Sequence, residues 1–262
     1  MLAQIIMHLL HAPRPRRLCS LPFARRAAGL VPFCLIAAVL TASALLPVTA
    51  LARNPSVLDG LSLAQRGVSA NLCALTFDDG PGQTTEALLN ILRDKGVRAT
   101  FFVVGSRVHL YPETLKRLVA EGNEVGNHTF THTSMRQRAP VEQLSEIVRT
   151  NAELDKLGIV PRYLRPPYGR YDNATIDAAA ALGMTIALWS VDSRDWRKHD
   201  LSAILPRRSY GVLGVRGVFL FHDNHRETVE ALPNLIDRLT EAGCTFVTMS
   251  EYVETSGPLC LH

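Results

Sequence analysis

The run Leu72–Pro81 reads LCALTFDDGP, an apolar strand candidate that leads directly into two aspartates and a Gly-Pro pair. Asp78 and Asp79 can do different jobs in such a turn, because one carboxylate can bind a metal ion while the other carries protons. Asp, Gly and Pro are also ordinary turn residues, so the run alone fits a simple turn better than a site. Its meaning therefore depends on the rest of the chain.

Strand and helix candidates alternate outward from this run. Strands are predicted near Leu72–Phe77, Ala99–Val104, Asn123–Asn127, Arg162–Arg165, Met184–Val191, Val218–Phe221 and Thr245–Met249. Helices are predicted over Thr84–Lys95, Pro112–Glu121, Pro140–Leu157 and Arg226–Ala242, with a fifth capped by Asn173 and ended by Gly183. This alternation indicates parallel strands joined by right-handed crossovers and predicts a β/α barrel. A doubly wound open sheet is the alternative, but it would gather fewer strand ends at one point.

Polar residues follow several of these strands. His128 and His132, four residues apart, come after the third strand candidate. Two imidazoles and one carboxylate bind divalent metals and leave a position open for water or substrate. Three later segments also end predicted strands: RPPYG at 165–169, DSRDW at 192–196 and LFHD at 220–223. Because a barrel gathers strand ends at one face, the residues together predict a metal hydrolase site.

The five segments, in this order, resemble the motif set of the polysaccharide deacetylase family, the NodB-homology domain of carbohydrate esterase family 4. The resemblance covers the chain from Leu72 to Val253. It implies an α/β fold, a distorted (β/α)7 barrel of the NodB type. Ser193 stands where many relatives carry Pro or Thr, a difference that could alter a loop near the substrate.

The resemblance also implies roles for the residues that would do the chemistry. Asp79, His128 and His132 would bind a divalent metal ion, zinc with cobalt as the alternative. Asp78 would act as the general base that takes a proton from the attacking water. His222 would act as the general acid that protonates the leaving amine.

Two further residues would tune this proton transfer. Arg165 would lie near Asp78 and keep it ionised, and Asp192 would lie near His222 and fix its tautomer. An ordinary surface ion pair is the alternative interpretation for both.

Substrate contacts are expected from four positions. Pro167 would stiffen its loop, and the Tyr168 backbone N–H would face the developing oxyanion. Trp196 would offer a face on which a sugar can stack, and Leu220 would form an apolar wall for the acetyl methyl group. A plain core role for Trp196 is a close alternative.

The N-terminus differs in composition from the rest of the chain. Arginines are frequent in the first 26 residues, whereas Ala27–Ala52 has no charge and ends in Ala-Leu-Ala before Arg53. This predicts that residues 1–52 are an export signal, or alternatively an uncleaved membrane anchor. Residues 53–71 are then a linker or arm, and 72–255 the deacetylase domain. The protein is expected in the periplasm, the cell envelope or the medium.

Composition sets further limits. The chain has 262 residues, 47% of them hydrophobic, and a net charge of +4 that comes largely from the N-terminal arginines. The remaining domain is close to neutral, so no nucleic-acid partner is expected. Cys73 and Cys244 are predicted to be small core residues, with a single Cys244–Cys260 bridge left open.

The predicted function is removal of N-acetyl groups from an acetylated polysaccharide such as chitin, chitooligosaccharide or peptidoglycan. O-Deacetylation of acetylxylan is the second enzymatic interpretation, because the motifs do not identify the leaving atom. A catalytically silent glycan-binding module and a non-haem iron oxygenase are the remaining alternatives. Membrane contact is expected only if the N-terminal segment stays uncleaved.

Overall fold

The computed structural model describes residues 57–59, 71–197 and 216–255. All of them belong to one compact unit, Thr49–His262. The predicted signal or anchor, residues 53–56 and 60–70 of the predicted linker, and Cys260 lie outside the described residues. Within the described ranges, no helix is both long enough and apolar enough to cross a membrane.

The described residues contain one sheet of nine parallel strands. The strands are β1 Val57–Leu58, β2 Leu72–Gly80, β3 Thr100–Val103, β4 Glu124–Asn127, β5 Tyr163–Leu164, β6 Thr185–Ala187, β7 Val191–Asp192, β8 Gly217–His222 and β9 Thr245–Phe246. The helices are α1 Thr85–Lys95, α2 Gly105–Val108, α3 Pro112–Ala120, α4 Pro140–Asp155, α5 Asn173–Ala181, α6 Arg226–Glu241 and α7 Met249–Thr255. Short 3₁₀ turns cover Pro167–Gly169 and Asp195–Arg197.

The sheet curls into a distorted barrel. Its strand order is β1-β6-β5-β4-β3-β2-β8-β7, and β9 pairs with the start of β2. Strands β6 and β7 lie toward opposite ends of this order, yet only Leu188-Trp189-Ser190 separates them in sequence. Three residues span at most about 14 Å between flanking Cα atoms, so the two ends of the curled sheet must be close. The predicted β/α barrel is confirmed.

Three predicted stretches need correction. Thr245–Met249 was predicted as one strand, but only Thr245–Phe246 is strand, and Met249 begins α7. Met184–Val191 was predicted as one strand but forms β6 and β7, because the chain changes partner from β5 to β8. The backbone N–H of Ser190 already bonds the Val218 carbonyl at 3.0 Å. In the predicted arm, Val57–Leu58 forms β1 beside β6, where Val57 pairs with Ile186.

The five predicted helices are all present, and their first and last residues lie within about two residues of the predicted bounds. The exception is the cap of α5, which is Asp172 rather than Asn173. The Asp172 side chain accepts the Thr175 backbone N–H, and the Thr175 hydroxyl accepts the Asp172 N–H, which forms a capping box.

Strand β2 is buried on both faces, and its alternation decides which residues reach the site. Leu75 and Phe77 pack in a core cluster with α1 and α6, whereas Leu72 and Ala74 belong to another cluster with Met249 and Tyr252 of α7. Because side chains alternate along a strand, Thr76 and Asp78 point to the same face of β2 as Leu72 and Ala74. The aspartate at the strand end is therefore aimed away from the helix-covered core.

Cys73 and Cys244 are buried in the core, as predicted, but they are paired with each other, which was not predicted. A disulfide joins Cys73 of β2 to Cys244, with 5.9 Å between their Cα atoms. β9 follows Cys244 directly and pairs with the start of β2, which brings the two cysteines together. With Cys244 taken, a Cys244–Cys260 bridge does not form.

Candidate active site

A groove of about 540 Å³ opens where the carboxyl ends of the strands meet. It is bordered by residues that follow several different strands: Asp78, Asp79, His128, His132, Tyr168, Arg170, Trp189, Asp192, Trp196, Leu220, His222 and His225. Most of the predicted site residues therefore share one groove. Three further residues that border the groove, Arg170, Trp189 and His225, were not predicted as site residues.

A β-bulge brings two adjacent carboxylates to the same side of the groove. Consecutive residues of a strand normally point to opposite faces. Between β2 and β3, however, Asp78 pairs with Phe102 and Gly80 pairs with Val103, so Asp79 is left without a partner in the register. Asp79 has a φ of 73°, in the left-handed region. The bulge redirects the Asp79 side chain, so that Asp78 and Asp79 both border the groove.

The predicted metal ligands converge on one point. His132 Nε2 lies 2.9 Å from Asp79 Oδ1, and His128 Nε2 lies 3.4 Å from the same oxygen. One ligand atom from each of the three residues lies within 4.8 Å of the others. His128 Nδ1 is 2.6 Å from the Arg165 carbonyl oxygen, an acceptor, so Nδ1 carries the proton and donates it. In the neutral ring the Nε2 lone pair then faces Asp79.

These three residues fit a divalent cation. Asp79 Oδ1 is buried and has no hydrogen bond with acceptable geometry, although two imidazole nitrogens face it. An oxygen and a ring lone pair repel each other unless a cation lies between them or the ring is protonated. Burial alone would raise the pKa of Asp79, but the closely approaching His128 and His132 rings outweigh that effect and hold the pKa well below its usual range. The donor set matches a site with two histidines, one carboxylate and an open position.

Arg165 anchors Asp78 from inside the barrel. Its Nη1 donates to Asp78 Oδ1 at 2.9 Å and to Thr76 Oγ1 at 2.7 Å. Its other nitrogens donate to the Ala187 and Leu188 carbonyls at 2.9 and 2.7 Å. Arg165 is fully buried. Burial lowers the pKa of Arg165, and the charge and hydrogen bond of Asp78 oppose this effect. The guanidinium nevertheless keeps its proton, as arginine does throughout proteins. The predicted contact with Asp78 is present, and it is not a surface ion pair.

The partner of His222 is Asp195, and the prediction of Asp192 is wrong. Asp195 Oδ1 lies 2.7 Å from His222 Nδ1, and Asp195 Oδ2 accepts the His222 backbone N–H at 2.7 Å. Thr228 Oγ1 donates to Asp195 Oδ2 at 2.8 Å. Asp192 is exposed, and its Oδ1 instead accepts the Arg194 backbone N–H at 2.9 Å. The 3₁₀ turn at Asp195–Arg197 buries the second aspartate of the segment under β8 rather than the first.

This contact controls the charge of His222. Burial opposes charging of the ring, but the hydrogen bond and negative charge of Asp195, helped by Asp78 and Asp79, raise the pKa of His222 to about 9. In return, the hydrogen bonds and charge of His222 outweigh burial and lower the pKa of Asp195. His222 is thus a proton donor at neutral pH. His225 lies edge-on to it, with 5.7 Å between ring centroids.

The predicted substrate-contact residues lie along the rim and wall of the groove. Tyr168 and Trp196 are 64% and 48% exposed, and Leu220 is buried at 4%. Pro167 is buried at the start of a 3₁₀ turn. The Tyr168 hydroxyl reaches within 3.5 Å of His132 Nδ1. The exposure of Trp196 favours a surface for a ligand over a core role.

Comparison with known proteins supports the family resemblance. A family model described as polysaccharide deacetylase matches residues 65–187. The peptidoglycan-N-acetylmuramic acid deacetylase PdaC of Bacillus subtilis is 39% identical over 183 residues, which are 69% of this chain and 38% of that protein. This chain thus spans well under half of the length of that relative. A chitooligosaccharide deacetylase of Bradyrhizobium is 34% identical over 64% of this chain and 84% of its own length.

Solved structures extend these similarities to the fold. The structure of PdaC matches with a TM-score of 0.64 and 38% identity, covering 71% of this chain and 92% of that one. A carbohydrate esterase family 4 pseudoenzyme of Bacillus anthracis also matches, with a TM-score of 0.64 and 27% identity over 70% of this chain and 65% of its own. Similarity of fold therefore extends to a protein described as a pseudoenzyme, and the groove residues have to carry the argument for activity.

Proposed function

This chain belongs to the polysaccharide deacetylase family, and from that membership we propose that it is a metal-dependent hydrolase that removes N-acetyl groups from polysaccharides containing N-acetylglucosamine. The observation that carries the proposal is a single groove that holds a three-ligand metal site and two separate proton carriers. Asp78 is held by Arg165 on one part of this groove, and His222 is held by Asp195 on another.

Amide hydrolysis needs both proton carriers. An amine leaves poorly unless it is protonated, so a base must accept the proton of the attacking water and an acid must supply one to the leaving nitrogen. Asp78 is the base in this proposal because its Oδ2 lies 3.8 Å from the ligand atom of His128, beside the metal site. His222 is the acid because Asp195 keeps its ring protonated and oriented.

Asp79, His128 and His132 would hold the metal ion. When bound, a divalent ion such as zinc or cobalt supplies Lewis acidity toward the acetyl carbonyl and lowers the pKa of a bound water. The protein orients this site through the bulge at Asp79 and the His128 contact to the Arg165 carbonyl. The Tyr168 backbone N–H is proposed as the donor to the oxyanion, with Leu220 as the wall against the acetyl methyl group.

Peptidoglycan glycan strands and chitooligosaccharides are the proposed substrates, supported by the names of the two relatives above. Such polymers lie outside the cytoplasm or are exported. This location agrees with the proposal that residues 1–52 direct export of the domain or anchor it at the membrane. The catalytic domain is proposed to cover residues 72–255.

Two alternative functions are to be distinguished from this proposal by experiment. Acetylxylan would fit the same groove, because an alcohol leaves more easily than an amine. A silent glycan-binding module would be expected to have lost part of its machinery, whereas Asp78, Asp79, His128, His132 and His222 are all present and brought together here.

The test is acetate release by the full-length protein from chitopentaose, peptidoglycan and acetylxylan. With each substrate, acetate release is measured for the protein as purified, after treatment with a chelator, and after zinc or cobalt is added back. The proposal predicts release from an amino-sugar polymer that stops with chelator and returns with metal. Release from acetylxylan alone would replace it with the esterase interpretation. Tight glycan binding with no release under any metal would replace it with the binding module.

A further inference from the structure

Arg170 is a positively charged side chain on the groove that binds no side chain or backbone group among the described residues. It borders the same groove as the metal ligands and is exposed. Across residues 57–59, 71–197 and 216–255, its guanidinium makes no hydrogen bond and no ion pair, and its backbone N–H alone is engaged, with the Pro167 carbonyl at 3.1 Å.

The acidic groups of the groove do not neutralise Arg170. Asp78 is paired with Arg165, and Asp79 faces two imidazoles. Asp192 borders the groove as well, but its carboxylate bonds the backbone of its own turn and lies beyond ion-pair distance of Arg170 in the described structure. The guanidinium N–H donors of Arg170 therefore have no acceptor within residues 57–59, 71–197 and 216–255. A guanidinium presents such donors as a planar fork that matches a carboxylate.

The turn that carries Arg170 is stiff. Proline fixes φ at Pro166 and Pro167, and Tyr168 and Gly169 take left-handed values of 61° and 63°. A Cβ at Gly169 would lie 3.1 Å from the Trp189 ring, so the ring packs directly on this backbone. Because the Tyr168 hydroxyl also reaches His132, the start of the Arg170 side chain is fixed relative to the metal site.

We propose that Arg170 binds a carboxylate of the glycan, so that the groove prefers amino-sugar polymers that carry acidic substituents over neutral ones. The ether-linked lactyl group of N-acetylmuramic acid in peptidoglycan is such a substituent, whereas chitooligosaccharides have none. This inference rests on the proposed function and names which of its substrate classes the groove selects. Arg170 is a specificity-determining residue in this proposal and takes no part in the proton transfers.

Binding and turnover are measured separately to test it. Binding is measured by calorimetry with the full-length Asp78→Asn variant, zinc-loaded, so that the glycan is not consumed. The probes are chitotetraose, a tetrasaccharide of alternating N-acetylglucosamine and N-acetylmuramic acid, and the same tetrasaccharide with its carboxyl groups converted to amides. Turnover is measured as acetate release by the protein with Asp78 intact.

The acidic probe should bind about tenfold to a hundredfold more tightly than its amide, the range expected for a charge-assisted hydrogen bond. Adding Arg170→Gln should abolish that difference, and Arg170→Lys should restore only part of it because an ammonium lacks the fork. Raising the salt concentration should weaken the preference for the acid. The control is Arg93→Gln, since Arg93 lies on α1 and pairs with Asp94.

Equal binding of acid and amide, or a preference that survives Arg170→Gln, would overturn the inference. Acetate release from chitotetraose accompanied by either result would leave the proposed function standing and refute only the role of Arg170. A binding preference that depends on Arg170, found in a protein that releases no acetate, would support the inference and refute the proposed deacetylase.

Discussion

Asp195 holds His222 at two points, with one carboxylate oxygen 2.7 Å from Nδ1 of the ring and the other accepting the backbone N–H at the same distance. The ring therefore has one orientation and one tautomer, with Nε2 left for the substrate. This contact also sets the pH range in which His222 can donate a proton, because it raises the pKa of the ring to about 9.

Asp195→Asn should move the alkaline limb of the pH profile. The protonated acid is present below its pKa, so kcat/KM should fall as the pH rises through about 9. Without the Asp195 charge, the pKa of His222 should return toward about 6.5, and the limb should move to lower pH by about two units. Asp192→Asn is the matched control, because that carboxylate does not contact His222. A limb that moved in Asp192→Asn and stayed in Asp195→Asn would identify Asp192, not Asp195, as the carboxylate that sets the pKa of His222.

Arg165→Met should be strongly destabilising. The substitution leaves the Asp78 carboxylate buried without its partner, which costs about 3–5 kcal/mol. The free energy of unfolding, measured by urea denaturation, should fall by that amount, whereas Arg162→Met, which removes an exposed pair with Glu254, should cost at most about 1 kcal/mol. Equal losses in the two variants would show that Arg165 contributes no more than a surface residue.

The Cys73–Cys244 disulfide should stabilise the fold. It closes a separation of 171 residues, and removing a disulfide typically costs about 2–4 kcal/mol. Reductant should therefore lower the thermal unfolding midpoint of the protein and leave that of the Cys73→Ala, Cys244→Ala double variant unchanged. Detection of two reactive thiols in the unfolded, unreduced protein, beyond those of the other cysteines, would show that the bridge does not form.

Asp79→Ala should remove metal and activity together, because Asp79 is the carboxylate on which both imidazoles converge. Metal content and acetate release are measured on the same preparation. Asp237→Ala is the control, since Asp237 is an exposed carboxylate on α6 that pairs with Lys95. Retention of one tightly held metal ion in Asp79→Ala would mean that the ion binds elsewhere.

The sequence was sufficient for features that depend on local pattern. Alternating strand and helix signals, with glycines after most helices, predicted the barrel and most element bounds. The placement of catalytic candidates after strands predicted a shared groove, since parallel strands end at the same face. The Asp78–Arg165 contact followed from the family motifs.

Features that depend on three-dimensional contacts were missed. The segment 192–196 contains two aspartates, and only the 3₁₀ turn decides that Asp195 faces His222. The disulfide depends on β9 pairing with the start of β2, which no local pattern reveals. The bulge at Asp79 is likewise a register shift between two strands. Arg170 looks like an ordinary loop arginine until the groove is seen.

The division of labour between Asp78 and Asp79 is the central claim, and Asp78→Asn tests it most directly. Zinc affinity and acetate release are measured on one preparation of this variant. The account predicts zinc binding like that of the unchanged protein, because Asp79, His128 and His132 remain, with a rate lower by about 10² to 10⁴, the range for loss of a general base. Full activity in Asp78→Asn, or loss of its zinc, would contradict the account.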